Sequence, residues 1–222
     1  MPNTPASRWP TSCPTWPKRA NLCWKLAAVL KGQSPEALLD SYQAERQPHV
    51  TEVTRRACRT GRIITERNRA IAVVRNYLLR NILRVPAVSA RLDKFTWIPD
   101  ARYRKGFFAT LRHRAVGWQV PQPWVTDADG ATVRLDDVLG GRWTILHVGP
   151  PPNGAHSWTA LGVPTVQVVE PTLVRWLQQK KAVAAVLRPD GFIYAATGSD
   201  HTLPAPPTGY VFSTASRTEA RA

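Results

Sequence analysis

The second half of the chain alternates short apolar runs with a helical segment, and this order limits the fold more than any other feature. Three apolar runs have the length of strands and are bounded by Gly or Pro: 143–148, 163–169 and 182–187. Residues 172–180 lie between the last two runs and have helical spacing, with Leu173, Trp176 and Leu177 predicted to face inward.

A reversal follows the third run at Arg188-Pro-Asp-Gly191, where Pro and Gly suit the dihedral angles of a turn. Phe192–Ala196 is then predicted to pair back with the third run as a hairpin. Strands that alternate with a helix and end in a hairpin predict a small α/β sandwich. With helices in the first half, the expected fold class is α+β.

The first half has helical periodicity. In residues 21–31, helical spacing is shown by Leu22, Leu26, Val29 and Leu30. Gly32 is expected to end this helix in a left-handed conformation. A second helix is predicted to begin with Ser34 as N-cap and Pro35 as first helical residue. Pro48 is interpreted as its end or as the start of the next helix.

Two more helices are predicted before the middle of the chain. One covers about 50–64 and carries arginines on a solvated side, and the other covers about 69–83. The second of these is expected to bury four apolar residues: Ile71, Val74, Leu78 and Ile82.

Changes in hydrophobic periodicity and in composition divide the chain into five predicted segments. In chain order, they are a Pro-rich irregular tail (1–19), a helical segment (20–93), a connector (94–123), an α/β domain (124–212) and a disordered tail (213–222).

The formal charge of +15 raises nucleic acid or an anionic membrane surface as a partner. No recognition module or aromatic stacking motif accompanies the basic residues, which are mostly arginine, as a GC-rich genome also produces. A non-catalytic basic interaction protein or nucleic-acid-binding protein therefore stands as the alternative function. A gel-shift series against salt would identify it by tight binding with a steep salt dependence.

Cysteine and histidine patterns point away from redox and metal chemistry. Cys13, Cys23 and Cys58 form no Cys-x-x-Cys, and no histidine lies at metal-ligand spacing. The cysteines are expected to be reduced thiols of a cytoplasmic protein. The sequence contains no apolar run of the roughly 18 residues that are needed to cross a bilayer. A triad of Ser157, His147 and Asp190 lacks the Gly-x-Ser-x-Gly elbow, so no catalytic residue is assigned.

Both halves of the chain contain distinctive sequence motifs. Those of the first half are Asn21-Leu-Cys-Trp-Lys-Leu26 and Leu38-Leu-Asp-Ser-Tyr-Gln-Ala-Glu-Arg46. Those of the second half include Pro121-Gln-Pro123, Leu135-Asp-Asp-Val-Leu-Gly140 and Val186-Leu-Arg-Pro-Asp-Gly-Phe192. Together these motifs resemble the FAD-dependent aromatic-ring hydroxylases, nearest to the 3-(3-hydroxyphenyl)propionate hydroxylases. The resemblance covers about 20–196.

The resemblance implies a monooxygenase of aromatic-compound breakdown that uses FAD and NADH or NADPH on a phenolic substrate. It also implies that the C-terminal domain is thioredoxin-like, has no redox cysteines, and helps two copies meet as a homodimer. Binding of the dinucleotide requires a Gly-x-Gly-x-x-Gly turn, and none occurs in this sequence. The chain is therefore expected to be a truncated family member that neither binds FAD nor turns over substrate alone.

The resemblance places one helix near the flavin in the intact family. Its residues here are Asn21, Leu22, Trp24 and Lys25, and they are expected to fix packing rather than touch the flavin ring. For Asn21, a contact with the flavin-side loop and a buried role holding backbone both remain open, with the second favoured. Trp24 is predicted to be a core residue rather than a stacking platform.

Overall fold

The computed structural model describes residues 16–65, 67–83, 102–109, 113–126, 131–198 and 202–212. The helices are α1 (Trp16–Leu30), α2 (Ala37–Ile64), α3 (Arg69–Leu83), α4 (Leu135–Leu139), α5 (Ala155–Thr159) and α6 (Pro171–Gln179). The strands are β1 (Trp124–Thr126), β2 (Thr132–Arg134), β3 (Thr144–His147), β4 (Thr165–Gln167), β5 (Ala184–Leu187) and β6 (Ile193–Thr197). The fold is α+β, as the sequence predicted.

The chain forms two compact units, of which one combines residues 1–42 with 105–222 and the other covers 43–104. The first unit contains α1 and all six strands. The predicted bounds of the five segments stay a prediction, but residues 20–42 group with the C-terminal part of the chain. The predicted tail at 213–222 lies outside the described residues.

The main sheet has four strands in the order β4-β3-β5-β6. β3 is parallel to β4 and antiparallel to β5, and β5 and β6 form the predicted hairpin. The turn between them closes as expected, with the Gly191 N–H bound to the Arg188 carbonyl at 2.9 Å and Gly191 at a φ of 76°. β1 and β2 form a separate antiparallel pair.

Both faces of the main sheet are buried, because successive side chains of a strand point to opposite faces. On one face, Ile145, Val186 and Tyr194 pack with residues of α1 and α5. On the other face, Leu146, Leu187 and Ile193 pack with residues of α4 and α6. Helix α6 buries the predicted Leu173 and Leu177, while Trp176 is only partly buried against the same cluster.

Helix α1 ends as predicted, but it begins earlier than predicted and buries a different face. The Gln33 N–H bonds the Ala28 carbonyl and the Gly32 N–H bonds the Val29 carbonyl, which is a Schellman motif with Gly32 left-handed. Residues 16–19, predicted as irregular tail, are helical because Pro17 lies in the first turn, where no intrahelical N–H bond is lost. Residues 1–15 lie outside the described part.

The buried face of α1 consists of Asn21, Trp24, Lys25 and Ala28, which recur at i, i+3, i+4 and i+7. Of the predicted apolar face, Leu30 is 85% exposed, Leu26 is 38% exposed, and Leu22 and Val29 are partly buried. The prediction of a Leu-rich buried face was therefore wrong. Two polar side chains, Asn21 and Lys25, take part in it because they find hydrogen-bond partners elsewhere in the unit.

Helix α2 is continuous, so the predicted boundary at Pro48 was wrong. It begins at Ala37, two residues after the predicted start at Pro35, and Pro48 lies inside it. Pro48 is exposed and removes one backbone donor, yet the helix continues past it to Ile64.

Helix α3 has the predicted bounds, and its start is capped by Asn68, whose side-chain oxygen accepts from the Ala70 N–H at 3.0 Å. Its predicted apolar face is not buried, since Ile71, Val74 and Leu78 are all more than half exposed. The side chain of Ile82 lies outside the described part. Hydrophobic spacing predicted the helix correctly, but not whether another element covers it.

Among the helices described, none combines the length and the apolar composition that crossing a bilayer requires.

Candidate functional site

The four residues expected near the flavin lie on α1, and three of them face the interior of the first unit. Asn21 and Lys25 are fully buried, Trp24 is 9% exposed and Leu22 is partly buried. The order of these residues along one helix brings three of them to one face, and the fold places that face against the main sheet.

Asn21 contacts the turn between β5 and β6, far away in sequence. Its side-chain Nδ2 donates to Asp190 Oδ2 at 2.8 Å, across 169 residues of chain. Asp190 also accepts from Arg188 twice, from Nε to Oδ1 at 3.1 Å and from Nη2 to Oδ2 at 2.7 Å. We call Asn21, Arg188 and Asp190 the buried ion-pair cluster. Because both charged side chains are inaccessible to solvent, the pair is held by charge-assisted, bidentate hydrogen bonds.

The Arg188 guanidinium has further partners that fix its plane. Its Nη1 donates to the Phe107 carbonyl at 3.0 Å, and its centre lies 4.7 Å from the Phe108 ring and 5.5 Å from the Trp24 ring. Aromatic faces favour a nearby cation, more strongly where water is excluded. The turn motif Arg-Pro-Asp-Gly therefore contacts both motif residues Asn21 and Trp24.

Trp24 is part of an aromatic cluster on the same face of the sheet. Its ring lies 6.1 Å from Trp143 and 6.2 Å from Phe107, and Trp143 in turn packs 5.2 Å from Tyr194. Burial raises the pKa of the Tyr194 hydroxyl above its usual value, so the ring stays neutral. Trp24 is a core residue, as the sequence predicted.

Lys25 is bound by the second family motif. Its Nζ donates to Ser41 Oγ at 2.8 Å, and the Ser41 hydroxyl donates to the Leu38 carbonyl. Leu38 and Ser41 belong to the Leu38–Arg46 motif, so the two N-terminal motifs contact each other. The contact of Lys25 with Ser41 was not predicted from the sequence, and the available signal was the i, i+4 spacing of Lys25 from Asn21 on α1.

The residues considered for other chemistry do not assemble a reactive site. His147 Nδ1 lies 2.9 Å from the Gly149 carbonyl, and Asp190 is bound by Arg188 and Asn21, so the Ser157–His147–Asp190 triad is not formed. Cys23 and Cys58 are free and exposed, while Cys13 lies outside the described residues. Within the described ranges, no group of three or more His, Cys, Asp or Glu side chains could hold a metal ion.

A shallow groove of about 340 Å³ lies on the other face of the sheet, beside edge strand β4. Apolar residues of β1, α4 and α6 line much of it, including Val125, Leu135 and Leu173. Glu170 also lines the groove, and its carboxylate caps α6 by accepting from the Thr172 N–H at 2.9 Å and the Leu173 N–H at 2.6 Å. The groove is thus apolar with one carboxylate already engaged.

We expect Glu170→Ala to lower the free energy of unfolding by about 1 kcal/mol, because two N–H groups of α6 lose their acceptor. Burial opposes ionisation, but the hydrogen bonds from Thr172 and Leu173 hold the pKa of Glu170 below its usual 4.5. Because the pKa of Glu170 is lower in the folded than in the unfolded protein, the ionised carboxylate stabilises the fold fully at pH values above the unfolded pKa. This stabilisation is lost as the pH falls through the folded pKa.

Urea unfolding of both proteins at neutral pH and at about pH 3 measures this effect. The difference between wild type and Glu170→Ala should shrink in acid. Gln178→Ala, an exposed change on the same helix, is the control. A difference that is equal at both pH values would contradict the role of the ionised carboxylate.

Two family models match separate parts of the chain. The model described as an FAD binding domain matches residues 19–57, and the model described as the HcaD C-terminal domain matches residues 117–173. The 3-(3-hydroxy-phenyl)propionate/3-hydroxycinnamic acid hydroxylase of Klebsiella pneumoniae (strain 342) is 31% identical over 205 residues, which are 79% of this chain and 37% of that protein. The enzyme of the same name from Mycobacterium sp. (strain JLS) is 34% identical over 167 residues, 71% of this chain and 29% of that protein.

The chain is similar to the C-terminal part of the FAD-dependent aromatic hydroxylases. Among solved structures, OxyS anhydrotetracycline hydroxylase from Streptomyces rimosus has a TM-score of 0.61 and 27% identity over 82% of this chain and 36% of its own. RebC, with bound 7-carboxy-K252c, has a TM-score of 0.57 at 23% identity over 90% of this chain and 41% of its own, and it supports the fold alone. The chain spans about a third of the length of its curated hydroxylase relatives.

The residues present here do not by themselves fit FAD, the cofactor of the family. Asn21 and Lys25 are engaged by Asp190 and Ser41, and Trp24 lies in the core. The 222 residues contain no Gly-x-Gly-x-x-Gly turn that would bring helix N–H groups to a pyrophosphate. The N-terminal match to the FAD binding domain thus covers a helical region whose buried side chains serve packing.

Proposed function

We propose that this chain is the C-terminal part of an FAD-dependent aromatic-ring hydroxylase, a monooxygenase of the 3-(3-hydroxyphenyl)propionate type. The observation that carries the proposal is that the hydroxylase motifs contact one another, since Asn21 and Trp24 of α1 meet Arg188 and Asp190 of the β5–β6 turn. Motifs that the hydroxylases share because they hold the fold together are expected to contact one another in this way. In the intact protein, FAD and NADH or NADPH would supply the chemistry and a phenol would be the substrate.

We propose further that the C-terminal domain is thioredoxin-like without redox function. Support comes from the strand order β4-β3-β5-β6 and from the succession β3-α5-β4-α6-β5-β6. Thiol exchange needs a low-pKa cysteine near a helix start, and the sequence has no cysteine after Cys58. The domain would then act by packing against α1.

We expect the 222-residue polypeptide to retain no stoichiometric FAD, because its α1 side chains are committed to protein contacts. The test is the visible absorbance spectrum after incubation with excess FAD and gel filtration, together with an assay of NADH and NADPH oxidation with a phenol. The full-length Klebsiella pneumoniae relative is the positive control. A stoichiometric flavin band, or oxidation stimulated by the phenol, would show that these residues form a cofactor site.

Homodimerisation through the C-terminal domain is also proposed. Supporting it, Trp124 and Val169 at the groove beside β4 are 55% and 80% exposed. Large apolar side chains grouped at a surface often mark contacts between proteins.

We expect sedimentation velocity to show a dimer that Val169→Glu converts to monomer, because a buried unpaired carboxylate opposes association. Val211→Glu is the matched control, since Val211 is also an exposed valine but does not line the groove. A monomer at all concentrations, or equal effects of the two substitutions, would count against this surface.

A further inference from the structure

The buried ion-pair cluster joins the helix that matches the FAD binding domain to a turn of the C-terminal domain. We propose that Arg188 and Asp190 are positioning residues that hold α1 through Asn21. Their role would be to fix α1 against the sheet, since the family resemblance places this helix near the flavin in the intact hydroxylase. The inference thus rests on the proposed function for its purpose, but the contact itself is present in this chain.

The charges of the cluster explain why residue 21 is an asparagine. Arg188 and Asp190 neutralise each other, and the Asp190 carboxylate still has room for a neutral donor beside the two hydrogen bonds from Arg188. The Asn21 amide supplies that donor at 2.8 Å without adding a charge. A lysine at this position would bury an extra cation, and an aspartate would place two carboxylates side by side.

The position of Asn21 on α1 makes it the anchor of the N-terminal half of the helix. It is the first fully buried residue among the α1 side chains described, one turn before Trp24 and Lys25. The opposite face of α1 is exposed at Cys23, Leu26 and Ala27. Within the first unit, α1 is therefore held in place by contacts on the face that contains Asn21.

If the hydrogen bond from Asn21 to Asp190 holds α1 in place, an ionisable residue at position 21 should make the stability of α1 depend on pH. In Asn21→Asp, the introduced carboxyl would face Asp190, with Arg188 as the nearby cation. Two adjacent carboxyls share a proton, so one of them stays protonated to a higher pH than usual. The protonated form can donate to Asp190 as Asn21 does, whereas the doubly ionised form cannot.

The experiment is hydrogen exchange measured by mass spectrometry on the full 222-residue chain, with wild type and variants compared at pH 5 and pH 8. We expect Asn21→Ala to speed exchange of peptides within 20–30 by about tenfold or more at both pH values, as loss of a hydrogen bond to a charged group implies. Asn21→Asp should resemble Asn21→Ala at pH 8 and approach wild type at pH 5. Cys23→Ala, an exposed change on the same helix, should behave as wild type.

Unchanged α1 exchange in Asn21→Ala would overturn the proposal, and so would an Asn21→Asp variant whose difference from wild type is the same at both pH values. If Asn21→Ala unfolds the whole unit, the pH dependence of Asn21→Asp decides: refolding at low pH supports the contact, and its failure to refold contradicts it. The assay contains no flavin, so a negative result here leaves the FAD test of the proposed function unaffected, and the reverse also holds.

Discussion

We expect Asp190→Ala to lower the free energy of unfolding by about 3–5 kcal/mol, the largest loss for any single polar substitution proposed here. Arg188 is only 1% exposed, so Asp190→Ala removes a carboxylate that neutralises a buried cation and accepts two of its hydrogen bonds. The carboxylate also binds Asn21 and accepts from the Phe192 N–H, and both contacts would be lost. Urea unfolding followed by circular dichroism measures the change.

Two further variants test whether the loss in Asp190→Ala comes from the charge of Arg188 or from its packing. The double change Arg188→Met with Asp190→Ala should recover part of the loss, because it removes the buried cation together with its partner. Glu52→Ala breaks the exposed ion pairs with Arg55 and Arg56 and should shift the unfolding midpoint little. A double variant less stable than Asp190→Ala would mean that Arg188 stabilises the fold through its aromatic contacts rather than through its charge.

We expect Trp158→Ala to lower the free energy of unfolding by about 3–5 kcal/mol, because it removes a large side chain from the centre of the aromatic cluster. Trp158 is completely buried, and its ring lies within 6.0 Å of Trp143, Tyr194 and Phe212. Its Nε1 donates to the Pro204 carbonyl at 2.8 Å and so ties the segment 202–212 to α5. The substitution should loosen that segment as well.

Urea unfolding measures the stability, and limited proteolysis within 202–212 measures the release of the segment. Trp158→Phe keeps most of the ring contacts and loses the indole donor, so it should retain most of the stability but still expose the segment. Tyr77→Ala, at an exposed aromatic residue of α3 that does not line the groove, should stay within about 0.5 kcal/mol of wild type. Equal losses for Tyr77→Ala and Trp158→Ala would contradict the assigned core.

Much of the C-terminal fold could be predicted because its signals are local. The apolar runs around Ile145 and Val186 have strand length and turn residues at both ends, and the Arg188–Gly191 turn places the next strand antiparallel. Helix α1 ends at the predicted glycine for the same reason, since only the residues near Gly32 take part in the cap. The motifs that carry the hydroxylase resemblance are likewise continuous stretches of sequence.

The buried faces of the helices could not be predicted in this way. Hydrophobic spacing favoured Leu22, Leu26 and Leu30 of α1, yet the helix buries Asn21 and Lys25. A polar side chain is buried when a partner far away in sequence satisfies it, and such a partner does not appear in a local pattern. Pro48 shows a second limit, because a proline costs a helix one backbone donor, and the local sequence does not show whether the helix continues past it.

The amino-acid sequence by itself determined the order β3, β4, α6, β5 and β6, the turn at Arg188–Gly191, the lack of a pyrophosphate-binding glycine turn and the similarity to flavin hydroxylases. Only the tertiary structure decided that Asn21, Trp24 and Lys25 point into the first unit, and that Asp190 is the partner of Asn21. The physical reason is that secondary structure follows from neighbouring residues, whereas a buried ion pair and its third partner require surfaces that meet only after the chain has folded.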